Sequence, residues 1–166
     1  MLSMYKTNIK KLFQEIKVWK RGNERAPHKP LLLLYALGCC YKGENRKIFY
    51  SKIDIDLRKL FIEFAPNLKS IHTEYSFWRL QNDGLWVLYG AENVQPRKSN
   101  TDAKKSELLL YNVCGGFSEN IYNELRNNSS LLIEIARDLL NAYFPTTVHK
   151  DILDRIGIDI NSIIRK

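Results

Sequence analysis

Two short stretches of the chain concentrate side chains that could bind an anionic ligand. The first, NERAPHKP at residues 23–30, places Arg25, His28 and Lys29 in a loop whose backbone is restricted by two prolines. Cationic side chains near the start of a helix, where free backbone N–H groups also point outward, suit phosphate oxygens. For His28 a second role, capping the helix or packing in the core, is equally compatible with the sequence.

The second stretch, HTEYSFWRLQNDGLW at residues 72–86, surrounds an Asn-Asp-Gly turn with aromatic residues and one arginine. Such a turn between two apolar runs predicts a β-hairpin. In the first strand, alternation directs Tyr75 and Arg79 to one face and Ser76 to the other. Tyr75 begins the strand, where a loop meets water, and is the best aromatic candidate for a ligand contact. The other large aromatics are expected in the core: Phe77, Trp78 and Trp86.

Catalytic patterns are missing from the sequence. The three histidines do not form an HxxxH or HExxH pair, and no glycine-rich phosphate loop is found. Asp54 and Asp56 are not followed by the acidic and lysine residues of a PD…(D/E)xK nuclease, and Cys114 has no evident general base. We therefore predict a binding domain that is not an enzyme by itself and that uses no metal or other cofactor.

Charge indicates the kind of partner. The formal net charge is +8 and the pI about 9.4, and residues 1–30 hold eight Lys or Arg against two acids. A second basic cluster includes Arg97 and Lys98. This asymmetry favours a polyanion, most simply nucleic acid, although a solubilising surface would give a similar composition. The three cysteines form no disulfide or zinc pattern, and no signal peptide or membrane span is predicted, so we expect a cytoplasmic protein.

Hydrophobic periodicity predicts the elements that hold these residues. A basic amphipathic helix over residues 5–20 carries Trp19 on its apolar face, and an apolar, central helix covers Pro30–Tyr41. CGGF at residues 114–117 is predicted to interrupt the chain, and Leu108–Val113 is either a helix end or a strand. The remaining predictions are helices at Asp54–Phe64, Ser118–Arg126, Ser130–Phe144 and from Thr147, a short strand at Lys47–Tyr50, and the hairpin Tyr75–Gln81 with Leu85–Tyr89. The fold class is mainly α with a small β-hairpin or sheet, in one compact domain over residues 1–166.

Four segments occur together in a known family. RAPHKPLLLLYAL, HTEYSFWRLQNDGLW, GGF and LLNAYFP lie in this order and near these spacings, so the chain, from about residue 5 to 156, resembles the sulfur-binding domains of McrA-type restriction endonucleases. The resemblance implies recognition of double-stranded phosphorothioate DNA, in which sulfur replaces a non-bridging phosphate oxygen in the Rp configuration. It also implies that a separate HNH nuclease domain or subunit cuts the DNA; the HNH motif is absent from this sequence.

The same resemblance assigns roles to individual residues. Tyr75 and Ser76 match a tyrosine-proline step that lines the sulfur pocket, and Arg79 falls where that pocket ends. Serine therefore stands where proline is common in the family. The basic loop with Arg25 and His28 matches a DNA-contacting loop before the long apolar helix. The complete set of expected DNA-binding residues is Arg25, His28, Lys29, His72, Arg79, Arg97 and Lys98.

Three alternatives stay open at this point. The chain is either a general basic DNA-binding domain without sulfur selectivity, a nuclease active alone, or a protein-interaction domain whose basic surface meets an acidic partner. The absent HNH motif argues against the second. Binding to matched sulfur-containing and ordinary duplexes distinguishes the first from sulfur recognition.

Overall fold

The computed structural model describes residues 2–21, 24–98 and 101–161, with side chains from residue 8 onward except those of residues 21 and 24. The helices are α1 (Leu2–Gln14), α2 (His28–Tyr41), α3 (Tyr50–Phe64), α4 (Thr73–Arg79), α5 (Lys105–Leu110), α6 (Glu119–Asn127), α7 (Ser129–Tyr143) and α8 (His149–Ile156). The strands are β1 (Lys20–Arg21), β2 (Glu24–Arg25), β3 (Ile48–Phe49), β4 (Trp86–Tyr89) and β5 (Cys114–Phe117). Short 3₁₀ segments cover Leu80–Asp83 and Thr146–Val148. The predicted fold class, mainly helical with a small sheet, is confirmed.

Helix α2 forms the centre of the core. Every residue from Pro30 to Cys40 is buried, and α3, α4, α6, α7 and α8 all pack on it. A helix that is apolar on all sides must be surrounded by other elements, because none of its faces is stable in contact with water. Gly38 lets α8 approach: a Cβ there would lie 2.1 Å from the carbonyl oxygen of Ile156. The predicted central helix is confirmed and begins two residues earlier, at His28.

The amphipathic helices α3, α6, α7 and α8 pack on this centre and α1 packs on α7, with one correction to the predicted extent of α1. That helix ends at Gln14, and the backbone N–H of Lys17 bonds the Asp83 carboxylate at 2.8 Å instead of continuing the helix. Trp19 therefore lies outside the helix, and 68% of its surface is exposed. The prediction that Trp19 belongs to an apolar helix face is wrong.

The predicted hairpin is also wrong in its first half. Thr73–Arg79 is helix α4, and the 3₁₀ segment after it ends at Gly84, whose φ of +82° is left-handed. Thr73, Phe77 and Leu80 are all fully buried at helical spacing, and Phe77 packs between Tyr50 and Trp86. The Asn-Asp-Gly sequence thus ends a helix, where glycine is equally favoured. Tyr75 and Arg79, four residues apart, lie on the same side of α4.

The second half of the hairpin, β4, pairs with a segment that was predicted to interrupt the chain. CGGF is β5, the middle strand of an antiparallel sheet in the order β3-β5-β4. Its glycines are required by close neighbours. A Cβ at Gly115 would lie 2.6 Å from the Phe77 ring, and one at Gly116 would lie 1.9 Å from the Arg46 carbonyl oxygen. The predicted short strand within Lys47–Tyr50 is confirmed as β3. Within Leu108–Val113, the first three residues are the end of helix α5 and the last three lie outside any helix or strand.

Candidate nucleic-acid interface

A cavity of about 280 Å³ opens between the start of α2, the start of α4 and the segment that follows α1. The fold brings six of the nine predicted site residues to its wall, from positions more than 40 residues apart in the sequence. The lining residues are Lys17, Val18, Trp19, Ala26, His28, Lys29, Ser70, His72, Tyr75, Ser76 and Arg79. We call this cavity the Tyr75 pocket.

The Tyr75 ring is held by two neighbours that carry or can carry positive charge. The His72 imidazole stacks on it with ring centres 4.5 Å apart and planes inclined by 12°. The Arg79 guanidinium lies 4.9 Å from the ring centre, within the range of a cation–π contact. Ser76, the next residue on α4, is only 3% exposed and contributes the helix surface behind the tyrosine. The Tyr75 ring is thus flanked by an imidazole and a guanidinium.

Arg79 also holds the loop that contains two other predicted residues. Its Nε donates to Asp102 Oδ1 at 2.8 Å and its Nη2 donates to Oδ2 of the same carboxylate, and these bonds raise the pKa of Arg79. The Asp102 carbonyl accepts the backbone N–H of Arg97 at 2.9 Å. Arg97 and Lys98 therefore lie on a loop fastened to α4, but neither lines the Tyr75 pocket. Their contact with DNA stays a prediction.

Lys29 has an intramolecular partner. Its Nζ lies 2.6 Å from Asp83 Oδ2, and the two side chains are 13% and 2% exposed. Asp83 also accepts the N–H of Lys17, so this pair joins the start of α2 to the segment after α1. Lys29 lines the pocket, and its positive charge is paired with the Asp83 carboxylate. An additional contact of Lys29 with DNA stays a prediction.

The two pocket histidines are in different environments. The ring of His28 packs edge-on against Phe61 with centres 5.3 Å apart, and burial, together with the charges of Arg79 and His72, lowers the pKa of His28. His72 Nδ1 lies 3.3 Å from Glu74 Oε2, and Glu74 is buried with its other oxygen unbonded within the described part of the chain. Both functions left open for His28 are thus compatible with its position: it packs against the core and faces the pocket.

Asp54, which the sequence offered only as a weak catalytic candidate, positions α4. Its carboxylate accepts hydrogen bonds from Thr73 Oγ1 at 2.6 Å and from Arg58 at 3.2 Å, and Lys105 Nζ lies 2.9 Å away. Burial raises the pKa of Asp54, but the bonds from Thr73 and Lys105 outweigh burial and the pKa lies below its ordinary value. The Asp56 carboxylate accepts hydrogen bonds from the Tyr35 hydroxyl and from Lys52 Nζ. Across residues 2–21, 24–98 and 101–161, no group of three or more His, Cys, Asp or Glu side chains is arranged to hold a metal.

Arg25 lies outside the Tyr75 pocket. Its guanidinium is 5.4 Å from the centre of the Tyr143 ring, at the edge of a neighbouring groove of about 770 Å³. The groove shares Trp19, Ala26 and His28 with the pocket. Trp19 was not among the predicted site residues, because its helical spacing assigned it to the core.

Comparison with known proteins identifies the domain. The family model of the ScoMcrA-like DNA sulfur-binding domain matches residues 6–161. The chain belongs to this family. The resemblance drawn from the four sequence segments is therefore confirmed. A search of the curated proteins finds no match.

Solved structures of this family share the fold. The sulfur binding domain of ScoMcrA complexed with phosphorothioated DNA superposes with a TM-score of 0.79 at 23% identity, over 89% of this chain and 94% of that one. The sulfur binding domain of SprMcrA, also complexed with phosphorothioated DNA, gives 0.75 at 20% identity, over 92% and 93% of the two chains. The type IV phosphorothioation-dependent restriction endonuclease ScoMcrA gives 0.76 at 22% identity, over 89% of this chain and 32% of the endonuclease. The described helices include none that is both long and apolar enough to cross a membrane.

Proposed function

We propose that this domain binds double-stranded phosphorothioate DNA through the Tyr75 pocket and directs a type IV restriction endonuclease to it. The observation that carries the proposal is the pocket itself: an aromatic ring and a buried helix surface, bordered by His28, His72 and Arg79. Membership of the sulfur-binding family supports it. Cleavage is assigned to an HNH nuclease domain or subunit, and the expected compartment is the cytoplasm, where the DNA substrate lies.

Sulfur selectivity follows from desolvation. Sulfur is larger and more polarisable than oxygen and is a weaker hydrogen-bond acceptor, so contact with the Tyr75 ring and the Ser76 methylene favours it. An ordinary phosphate oxygen in the same place loses its water without a replacement hydrogen bond, which is unfavourable. The pocket thus discriminates by penalising oxygen as well as by attracting sulfur. A difference of about 1–3 kcal/mol per sulfur corresponds to roughly 5- to 150-fold selectivity, by analogy with one methylene group in a binding pocket.

Most of the affinity comes from the surrounding charge. Lys17 and Arg25, both exposed, line the pocket and the groove beside it, where they can meet phosphates on both sides of the modified linkage. The charge of Arg79 is shared with Asp102. Each phosphate neutralised by a cation releases counterions, so the logarithm of the affinity falls linearly with the logarithm of the salt concentration.

The test is fluorescence anisotropy on three short duplexes of one sequence. One carries a single Rp phosphorothioate, the second carries the Sp isomer, and the third is unmodified. We expect the Rp duplex to bind about 5- to 150-fold more tightly than the unmodified one, with the Sp duplex near the unmodified one, because its sulfur points away from the pocket. A panel of core sequences separates wrong base context from missing selectivity.

Equal binding of all three duplexes across that panel would identify a general DNA-binding domain instead. No binding at low salt would turn the search toward an acidic protein partner. Metal-dependent cleavage of modified plasmid by the purified chain would establish a nuclease active alone.

A further inference from the structure

Trp19 exposes a large apolar side chain to solvent. Its surface is 68% accessible, although the indole is among the largest apolar groups that a protein can bury. It follows helix α1, in which Ile9 and Phe13 are buried, and Ile16, between the helix and Trp19, is buried as well. A single exposed apolar residue is ordinary on a protein surface. The position of this one, between two cavities, is what requires an explanation.

The backbone under Trp19 is fixed on both sides. The Lys17 N–H bonds Asp83 Oδ1 at 2.8 Å, and Asp83 is itself paired with Lys29. The carbonyl of Trp19 accepts the N–H of Ala26 at 2.8 Å, which closes the small hairpin of β1 and β2. The indole is therefore presented from an ordered segment that is tied to the start of α2. Because this backbone is already fixed, a contact made by the indole costs only the ordering of its own side chain.

The surroundings of the indole match a nucleic acid. Trp19 lines both the Tyr75 pocket and the neighbouring groove, and the exposed cations Lys17, Lys20 and Arg25 lie close to it in the sequence. Asp83, the acid that accepts the Lys17 N–H, is 2% exposed and paired with Lys29. An aromatic face among cations, continuous with a pocket for a modified phosphate, suits the sugar and base-edge atoms that flank that phosphate.

We propose that Trp19 contacts the nucleotide next to the modified linkage, with Arg25 binding a phosphate further along the same strand. This inference rests on the proposed DNA-binding function and adds a contact to it that is independent of sulfur. Since the indole meets sugar and base atoms that all duplexes share, it strengthens binding to sulfur-containing and ordinary DNA by the same factor. An acidic protein segment on the same surface is the competing occupant, and the test below separates the two.

The experiment compares Trp19→Ala and Trp19→Phe with Leu110→Ala by anisotropy on the Rp and unmodified duplexes. Leu110 is a matched control: it is 69% exposed and lines neither the pocket nor the groove. We expect Trp19→Ala to weaken binding to both duplexes about tenfold, with the ratio between them unchanged. Trp19→Phe should retain most of the affinity, and Leu110→Ala should match the wild type. Thermal unfolding of all variants checks that each is folded.

Intrinsic fluorescence gives a second readout. The chain has three tryptophans; Trp86 is buried and the indole N–H of Trp78 is bonded to the Thr101 carbonyl. DNA should quench the wild-type emission through Trp19, and the quenching should be largely lost in Trp19→Phe. Wild-type affinity for DNA in Trp19→Ala, with quenching intact in Trp19→Phe, would overturn the inference. So would a wild-type chain that binds no duplex, as expected if an acidic protein segment occupies this surface.

The two proposals fail separately. If the wild type does not distinguish the duplexes but Trp19→Ala weakens both, sulfur recognition fails and the Trp19 contact stands. If the wild type prefers the Rp duplex and Trp19→Ala behaves like Leu110→Ala, sulfur recognition stands and the Trp19 contact fails.

Discussion

The guanidinium of Arg79 lies over the ring of Tyr75, 4.9 Å from its centre, one helical turn along α4. This contact exists because the segment is a helix, which places residues i and i+4 side by side. Asp102 fixes the other side of the guanidinium with two hydrogen bonds. The aromatic wall of the pocket is thus assembled from one helix and one distant loop.

Removing the Tyr75 ring should reduce sulfur selectivity. We expect Tyr75→Ala to bind the Rp duplex about tenfold more weakly than the wild type, with a much smaller loss on unmodified DNA, because only sulfur gains from the apolar contact. Tyr75→Phe keeps the aromatic ring, so its affinity for each duplex should be close to that of the wild type. Tyr111→Ala, at the exposed end of α5, is the control. Equal losses of Tyr75→Ala on both duplexes would remove Tyr75 from the sulfur site.

Lys29 should contribute more to stability than to the salt dependence of DNA binding. Lys29→Met leaves the Asp83 carboxylate buried without its cation, and we expect a loss of about 3 kcal/mol in the free energy of unfolding. The double variant Lys29→Met/Asp83→Asn should recover part of this loss, since no unpaired charge remains. Urea unfolding measures both. Lys11→Met, which disrupts an exposed pair with Glu15, should change stability by less than about 0.5 kcal/mol.

The same variants decide whether Lys29 also binds phosphate. Because Asp83 neutralises its ammonium group, we expect Lys29→Met to leave the slope of log affinity against log salt unchanged. A slope smaller by about one unit would instead establish a direct phosphate contact for Lys29, as the sequence predicted.

Sequence reasoning located the long helices well, because their burial follows their own periodicity. The apolar run of α2 and the apolar stripe of α7 are each compatible with a single secondary structure, a helix, and the structure contains that helix. The sequence around Phe77 is compatible with both a strand and a helix. Its aromatic residues favour a strand and its Asn-Asp-Gly either turns a hairpin or ends a helix. Burial of Phe77 between Tyr50 and Trp86 decides for the helix, and these partners are distant in the sequence.

The candidate site was predictable in part for the same reason. His28, His72, Tyr75 and Arg79 stand in recognisable segments, and the fold brings them together. The partners that fix them, Asp83 for Lys29 and Asp102 for Arg79, lie 54 and 23 residues away and leave no local pattern. Such pairs depend on the tertiary structure alone.

Gly116 should tolerate no side chain. A Cβ there would lie 1.9 Å from the carbonyl oxygen of Arg46, a backbone atom beside the central strand β5. We expect Gly116→Ala to lose at least about 3 kcal/mol of stability or to fail to fold. Gly84→Asn is the control, because asparagine tolerates a φ of +82° and the nearest atom to its Cβ is a flexible Leu12 methyl at 3.5 Å. A folded Gly116→Ala with wild-type stability would contradict the close approach.

His28 should make stability and DNA affinity respond to pH in opposite directions. Burial, with the charges of Arg79 and His72, lowers the pKa of His28 in the folded state below the ordinary value of about 6.5. The unfolded chain therefore binds more protons near pH 6, so the contribution of His28 to stability is present above about pH 6.5 and is lost as the pH falls through that value toward the folded pKa. A DNA phosphate beside the ring has the reverse effect, because it raises the pKa and favours the protonated form.

Lowering the pH from about 7.5 to 5.5 should consequently weaken the folded state while it strengthens DNA binding. His28→Gln should reduce the pH dependence of stability and the pH dependence of DNA affinity. The difference between wild type and variant gives the contribution of His28 alone. His149→Gln is the control, since its ring bonds the Phe144 carbonyl and does not line the Tyr75 pocket. Urea unfolding and anisotropy at matched pH values measure the two trends. If His28→Gln retains the wild-type pH dependence of affinity, His28 packs against Phe61 without meeting the DNA.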